Sequence, residues 1–278
     1  LRFITYIKNA VRRGERVYID FSPTTKMVAD GTLLFWAELH KLHRDTPGRK
    51  RIVGCRPPSD DVVDQVLQQV GIYNILGKRR QALVVDDTVK YWKSESDTTA
   101  VGKKIEAVQR IGPLPDVKTM YYKGISEAMT NCVQWAYPDD NPTYKGESRW
   151  WMFSEERDGM RSVALCDLGI GIPTSIRQSN KWRPFLGTLL AKIGLGDSDA
   201  AVIKAAFEIG VSLSEQPTRG KGLDEVRKVL DAEEMGSLYV LSGHGRYTYS
   251  ADTKQEATHN FTDTSPGTLI GWKSAVRK

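Results

Sequence analysis

Glu127, Asn131 and Trp135 stand at i, i+4 and i+8, so a helix through them sets all three along one face. A carboxylate and an amide one turn apart can activate a water and hold a metal ion; the plain alternative is a solvated polar stripe. The stretch CDLGIGIP, from Cys166 to Pro173, follows a short apolar run. It delivers Asp167, an acceptor able to read an exocyclic amine. Gly169 and Gly171 then allow backbone to approach a flat ligand without side-chain obstruction, although a tight structural turn would use the same residues. In RGKGL, Gly220 and Gly222 at the start of a helix would expose N–H groups at the positive end of its dipole, an anion site. Alone, a Gly-x-Gly is a weak signal.

The surrounding pattern supplies elements to position these residues. A long helix is expected beyond Pro115, with Met120, Tyr121, Ile125, Ala128, Met129, Cys132, Val133 and Ala136 apolar, ended by PDDNPTYKG. RWWMFSEERDGMRSVALCD reads as a hairpin about an Asp158-Gly159 turn. Two helices follow, RPFLGTLLAKIGL and SDAAVIKAAFEIGV, and the chain ends in GSLYVLSG, GRYTYS, a polar loop and GTLIGW, read as strands around that loop. Upstream, RVYIDF alternates as a strand does, ADGTLLFWAELHKL has mostly helical spacing, and RIVGC reads as a second strand. Val63, Val66, Leu67 and Val70 make a helical stripe, with Ser59 as its expected N-cap and Gly71 as its stop, and ALVV (Ala82 to Val85) is expected as a third strand. The polar, patternless stretch from Trp92 to Lys104 separates these halves. The domains expected are 1–92 and 104–278.

With 278 residues the chain exceeds the ~100 to 200 of one domain, which allows two modest α/β units. No window approaches the ~20 apolar residues of a membrane span, and LRFITYIKNAVRR lacks a signal-peptide pattern. Cys55, Cys132 and Cys166 are an odd, scattered set that fits buried free thiols in a reducing compartment, so the expected location is the cytoplasm. The net charge of +6 gathers partly in His43 to Arg51 and Gly77 to Arg80. No aromatic stacking residues are interleaved with these charges, so solvated loops are expected rather than nucleic-acid contacts. There is no Gly-x-x-x-x-Gly-Lys-Ser/Thr phosphate loop. His40, His43 and Cys55 lack metal-ligand spacing.

In chain order, Glu127-x-x-x-Asn131, Asp167-x-Gly169-x-Gly171, Gly220-x-Gly222 and Gly267-Thr268 resemble the four nucleotide-binding boxes of the GHKL ATPase superfamily. That superfamily includes DNA gyrase, the large heat-shock chaperones, mismatch-repair ATPases, sensor histidine kinases and anti-sigma-factor serine kinases. The resemblance covers roughly Lys104 to Lys278, and EAMTNCVQWAY looks most like the anti-sigma kinases. It implies a Bergerat-type α/β sandwich, with helices on one face of a mixed sheet. It also implies ATP and Mg²⁺ as cofactors: Asp167 accepting from the adenine amine with Thr268 in support, and Gly169 and Gly171 passing the base. Asn131 would bind Mg²⁺, Gly220 and Gly222 would close over the phosphates with Arg219 and Lys221 as charge partners, and Glu127 would be the general base or the carboxylate that orients the water. The chain departs from the family at Trp135, where a histidine is common, and in a long lid, Pro173 to Arg219, expected to hold two helices. No phosphoacceptor helical hairpin or transducer segment is evident.

The N-terminal half resembles, more weakly, a STAS domain, the fold of anti-sigma-factor antagonists. Where that family writes Asp-Ser-Ser-Gly before its helix, this chain reads Val28-Ala29-Asp30-Gly31. The phosphorylatable serine is absent, and Asp30 is either a fixed negative charge or a helix cap. Together the resemblances imply an ATPase or serine/threonine protein kinase in a bacterial regulatory system, with a protein partner and a homodimer as family analogies. The alternative is a non-catalytic switch in which ATP orders the lid and the ordered form binds an effector. A nucleic-acid-associated ATPase is the third class, and it would need salt-dependent DNA binding.

Overall fold

The computed structural model describes residues 2–45, 52–78, 83–90, 92–99, 124–141, 143–144, 147–212 and 222–275. The chain divides into two compact units, Leu1–Ser94 and Glu95–Lys278. It is an α/β protein. No helix among the described residues is long and apolar enough to cross a membrane, and all three cysteines are buried and free.

The first unit opens with α1 (Arg2–Arg12), an element beyond those expected from sequence; it buries Ile4, Ile7, Ala10 and Val11 along one face. From α1, Lys8 Nζ donates to both carboxylate oxygens of Glu38 at 2.9 Å, on α2 (Ala29–Asp45). Glu38 is 2% exposed, so removing Lys8 would strand a buried charge. Helix α2 begins at Ala29, which puts Asp30 inside its first turn rather than before it. β1 (Val17–Asp20) and β2 (Ile52–Arg56) pair in parallel, Ile19 against Cys55 and Asp20 against Arg56.

Helix α3 (Asp61–Gln69) is capped by Asp60, not Ser59: the extended backbone of Asp60 lets its Oδ1 accept from Val63 N–H at 2.9 Å. Gly71, at φ 77°, stops the helix as expected, and α4 (Ile72–Ile75) follows. The third strand expected at Ala82 to Val85 does not form in its described part. Leu83 is 80% exposed, and Gln65 Oε1 takes the N–H groups of Val85 and Asp86, each at 2.8 Å, so a side chain holds the backbone that a ladder would have paired. Ala82 lies outside the described residues.

A five-stranded sheet, in the second unit except for the first two residues of β3, is built from β3 (Lys93–Asp97), β4 (Trp150–Arg157), β5 (Met160–Asp167), β6 (Ser237–Ser250) and β7 (Gln255–Ala275), in the order β3-β4-β5-β7-β6. β3 lies within the stretch read as patternless. β4 with β5, β5 with β7 and β6 with β7 are antiparallel, where a mixed sheet was expected. The β4–β5 turn is Asp158-Gly159 as predicted, with φ of 53° and 71°. The polar loop expected before GTLIGW is instead the first half of β7, whose exposed residues pair with β6 from Ser250–Gln255 through Gly245–Asn260.

Residues 124–131 form α5, and its last turn, Cys132–Ala136, widens to i→i+5 bonding. Four helices follow: α6 (Ile172–Gln178), α7 (Arg183–Lys192), α8 (Asp199–Ser212) and α9 (Gly222–Glu233). Alternate strand residues Trp150, Met152, Val163, Leu165, Val240 and Ile270 pack with Ile125 and Met129 of α5, Phe207 of α8 and Val226 of α9. The segment expected to be a long lid with two helices holds both of them, as α7 and α8, with α6 before them. Across residues 172–212, α6, α7 and α8 share a core of Ile176, Leu186, Leu190, Ala201, Val202 and Ala205, and α8 also enters the main core.

Glu256 of β7 ties the outer strands to the helices. It accepts from Lys204 Nζ of α8 at 2.9 Å, Arg227 of α9 at 3.0 Å and Tyr247 of β6 at 2.9 Å. Burial alone would raise its carboxyl, but the Lys204 and Tyr247 hydrogen bonds and the two cations hold it below the usual carboxylate range. Glu256→Gln is therefore expected to cost about 1–3 kcal/mol in urea melts at neutral pH. A depressed carboxyl contributes fully above its unfolded value of about 4.3 and loses that contribution as pH falls through the folded value. The gap between wild type and variant closes in acid; a gap constant with pH would contradict the charge account.

Candidate functional site at the end of the central hairpin

The widened end of α5 meets the turn that follows β5. Ile170 N–H donates to the Ala136 carbonyl at 2.8 Å, and a Cβ on Gly169 would run into that same carbonyl. The turn thus lies flat on the helix end. At its start Asp167 is 4% exposed: its Oδ1 accepts from Gly169 N–H at 2.9 Å and from Thr268 N–H at 3.2 Å. The thiol of Cys132 donates to its Oδ2 at 3.6 Å. Burial pushes the Asp167 carboxyl up to about 6 against the pull of these donors. Burial, reinforced by Asp167, also pushes the Cys132 thiol well up, so it stays a protonated donor.

Gly267 and Thr268 on β7 close the other side. Gly267, at φ 60°, lies against the Asp167 backbone and carboxylate, where any Cβ would collide. Ser242 on β6 joins three elements. Its Oγ accepts from Ile172 N–H at the start of α6 at 2.9 Å, donates to the Gly267 carbonyl at 2.9 Å, and lies 3.1 Å from Thr268 Oγ1. A Cβ on Gly171, at φ 79°, would sit 2.7 Å from that serine oxygen. Tyr137 completes the back wall: its hydroxyl donates to the Arg149 carbonyl at 2.5 Å and accepts from Leu168 N–H at 2.9 Å. Burial followed by the Asp167 charge raises this phenol, which stays neutral.

Asp167, Gly169, Gly171 and Thr268, named from sequence, are therefore one cluster, assembled from segments about 100 residues apart. The structure gives each of the two glycines an internal reason, contact with Ala136 or with Ser242, beyond any approach to a ligand. Asn131 precedes Cys132 and is half-buried; Glu127, one turn back, is half-buried too, and Trp135 is 42% exposed. Gly222 opens α9, whereas Arg219, Gly220 and Lys221 lie outside the described residues.

Cys132, Tyr137 and Ser242 were not singled out as site residues. The signal for Ser242 was a lone hydroxyl at the end of the apolar run LYVL. Among the described residues, no three His, Cys, Asp or Glu side chains gather as a metal cage. The Asn131 amide oxygen is a hard donor of the kind Mg²⁺ takes alongside water and phosphate. No family model matches the chain, and no curated protein or solved structure matches it.

Proposed function

We propose that the second unit binds ATP with Mg²⁺ in the manner of the GHKL superfamily and acts as an ATPase or serine/threonine protein kinase in a bacterial regulatory system. The observation that carries this reading is the convergence at Asp167. The end of the Glu127–Asn131 helix, the Asp167-x-Gly-x-Gly turn and the Gly267-Thr268 strand meet there through Cys132, Gly169 and Thr268. Three of the four motif segments are thus neighbours, as one nucleotide site would require. The first unit is read as a STAS-like module, and a protein partner, a homodimer and a cytoplasmic setting belong to the same proposal.

Asp167, ionised above its raised titration point, accepts a hydrogen bond from the adenine amine. Asn131 would hold Mg²⁺, which when bound neutralises phosphate charge. Glu127 takes the proton of the attacking water, or of a serine or threonine hydroxyl, as the new O–P bond forms and the bond to the β-phosphate oxygen breaks. Positioning supplies much of the rate.

Incubating the full chain with Mg²⁺ and γ-labelled ATP, with and without a bacterial extract, tests this reading. Glu127→Ala is expected to retain ATP affinity within about threefold and to lose turnover by at least about 100-fold. Label moving to phosphate marks an ATPase, and label moving to protein marks a kinase. ATP bound but left intact by wild type would instead identify the non-catalytic switch. A chain that binds no ATP would remove the whole reading.

A further inference from the structure

We propose that Ser242 is a positioning residue that fixes the hydrogen-bond polarity of the Thr268 hydroxyl, so that the site selects a base bearing an exocyclic amine over one bearing a carbonyl at the same place. The inference rests on the nucleotide reading above.

Proton accounting around Ser242 carries the argument. The side chain is fully buried, and its hydroxyl has one proton and two lone pairs. The Gly267 carbonyl, at 2.9 Å, can only accept, so it takes the proton. Ile172 N–H, at 2.9 Å, can only donate, so it takes one lone pair. Thr268 Oγ1, at 3.1 Å, is left with the second lone pair, and Thr268 must therefore donate to Ser242. Its own proton is spent, and only lone pairs remain for a ligand.

Asp167 has the same polarity. The ionised carboxylate only accepts, and the neighbouring Cys132 thiol already spends its proton on Oδ2. A ligand at Asp167 and Thr268 therefore meets two acceptors and must bring N–H. The 6-amine of adenine does so. The 6-carbonyl of hypoxanthine or guanine would set lone pairs against lone pairs, and such unmade buried bonds are the strongest basis for rejecting an analogue.

The test compares Mg²⁺-ATP and Mg²⁺-ITP binding to the full chain by calorimetry, since inosine carries the carbonyl where adenosine carries the amine. Wild type is expected to prefer ATP by at least about 100-fold. Ser242→Ala releases the Thr268 proton toward the ligand, and the preference is expected to shrink about tenfold, mainly by tighter ITP binding. Ser242→Thr keeps the hydroxyl and the preference. Thr268→Val removes the group whose polarity is set, shrinks the preference as well, and with Ser242→Ala gives no further change.

Parallel loss of ATP and ITP affinity in Ser242→Ala would make Ser242 scaffold alone and overturn the proposal. Should Ser242→Ala fail to fold, Thr268→Val decides, and an unchanged preference there overturns it. ATP binding without preference in wild type defeats this inference and leaves the nucleotide reading standing. Binding of neither nucleotide defeats both.

Discussion

Asp167→Asn is expected to bind ATP at least about 100-fold more weakly than wild type at pH 7.5, and yet to be the more stable protein. Asparagine has the same shape and keeps an oxygen for Gly169 N–H and Thr268 N–H, but it replaces the second carboxylate oxygen, Oδ2, with a donor. A donor facing an adenine amine costs the bond and leaves both groups unpaired. Stability moves the other way because the buried carboxylate is ionised at a cost. Its folded value of about 6 lies above the unfolded value of about 3.9, so between those limits the unfolded chain has released a proton that the folded chain retains. Wild-type stability from this group is highest in acid. It falls by roughly 3 kcal/mol as pH rises through that window, then levels off. The amide has no such slope. Urea melts from pH 4 to 7.5 beside calorimetric titration with ATP read both effects. Unchanged ATP affinity would remove Asp167 from ligand binding, and stability rising across the window would contradict the burial account.

Gly169→Ala is expected to lower stability by about 3 kcal/mol or more and to abolish ATP binding with it. The added methyl would meet the Ala136 carbonyl and the Ala136 Cβ, backbone and a short side chain that cannot swing away. Relief requires lifting the turn off the helix end, which breaks the Ile170–Ala136 hydrogen bond and moves Asp167 away from Cys132. Gly187→Ala is the control. It sits exposed in α7 with nothing within 4 Å of an added Cβ, and it is expected to gain about 0.5–1 kcal/mol from helix propensity. Equal melting temperatures for the two variants would show that Gly169 is not pressed against the helix.

Where burial and periodicity coincide, the elements were legible. The stripe at Ile125, Ala128, Met129 and Cys132 and the alternation along β4 and β5 both report a face against one core. Residues 255–264 were not legible, because both faces of that part of β7 are largely exposed and its strand form comes from pairing with β6. ALVV misled in the opposite sense, since its Leu83 and Val85 stay in solvent. The widened turn of α5 has no local mark in the sequence, and its last carbonyl, that of Ala136, is taken by Ile170 N–H from the turn after β5. At the site, Asp167, Gly169, Gly171 and Thr268 were found as motif positions. Tyr137 and Ser242 were missed, because what makes them matter is a bond to a residue 31 positions away for one, and 25 and 70 for the other.

The crowding around the glycines also bears on how descendants of this sequence can change. Every single-nucleotide missense change in a glycine codon adds a Cβ, and at Gly169 and Gly267 that atom meets backbone. Selection for folding alone would hold both positions, in a lineage that had lost its ligand as firmly as in one that kept it. Drift in such a lineage would show first at Glu127 and Asn131, half-buried on the flank of α5. Those two columns, rather than the glycine signature, would record whether the proposed chemistry is under selection.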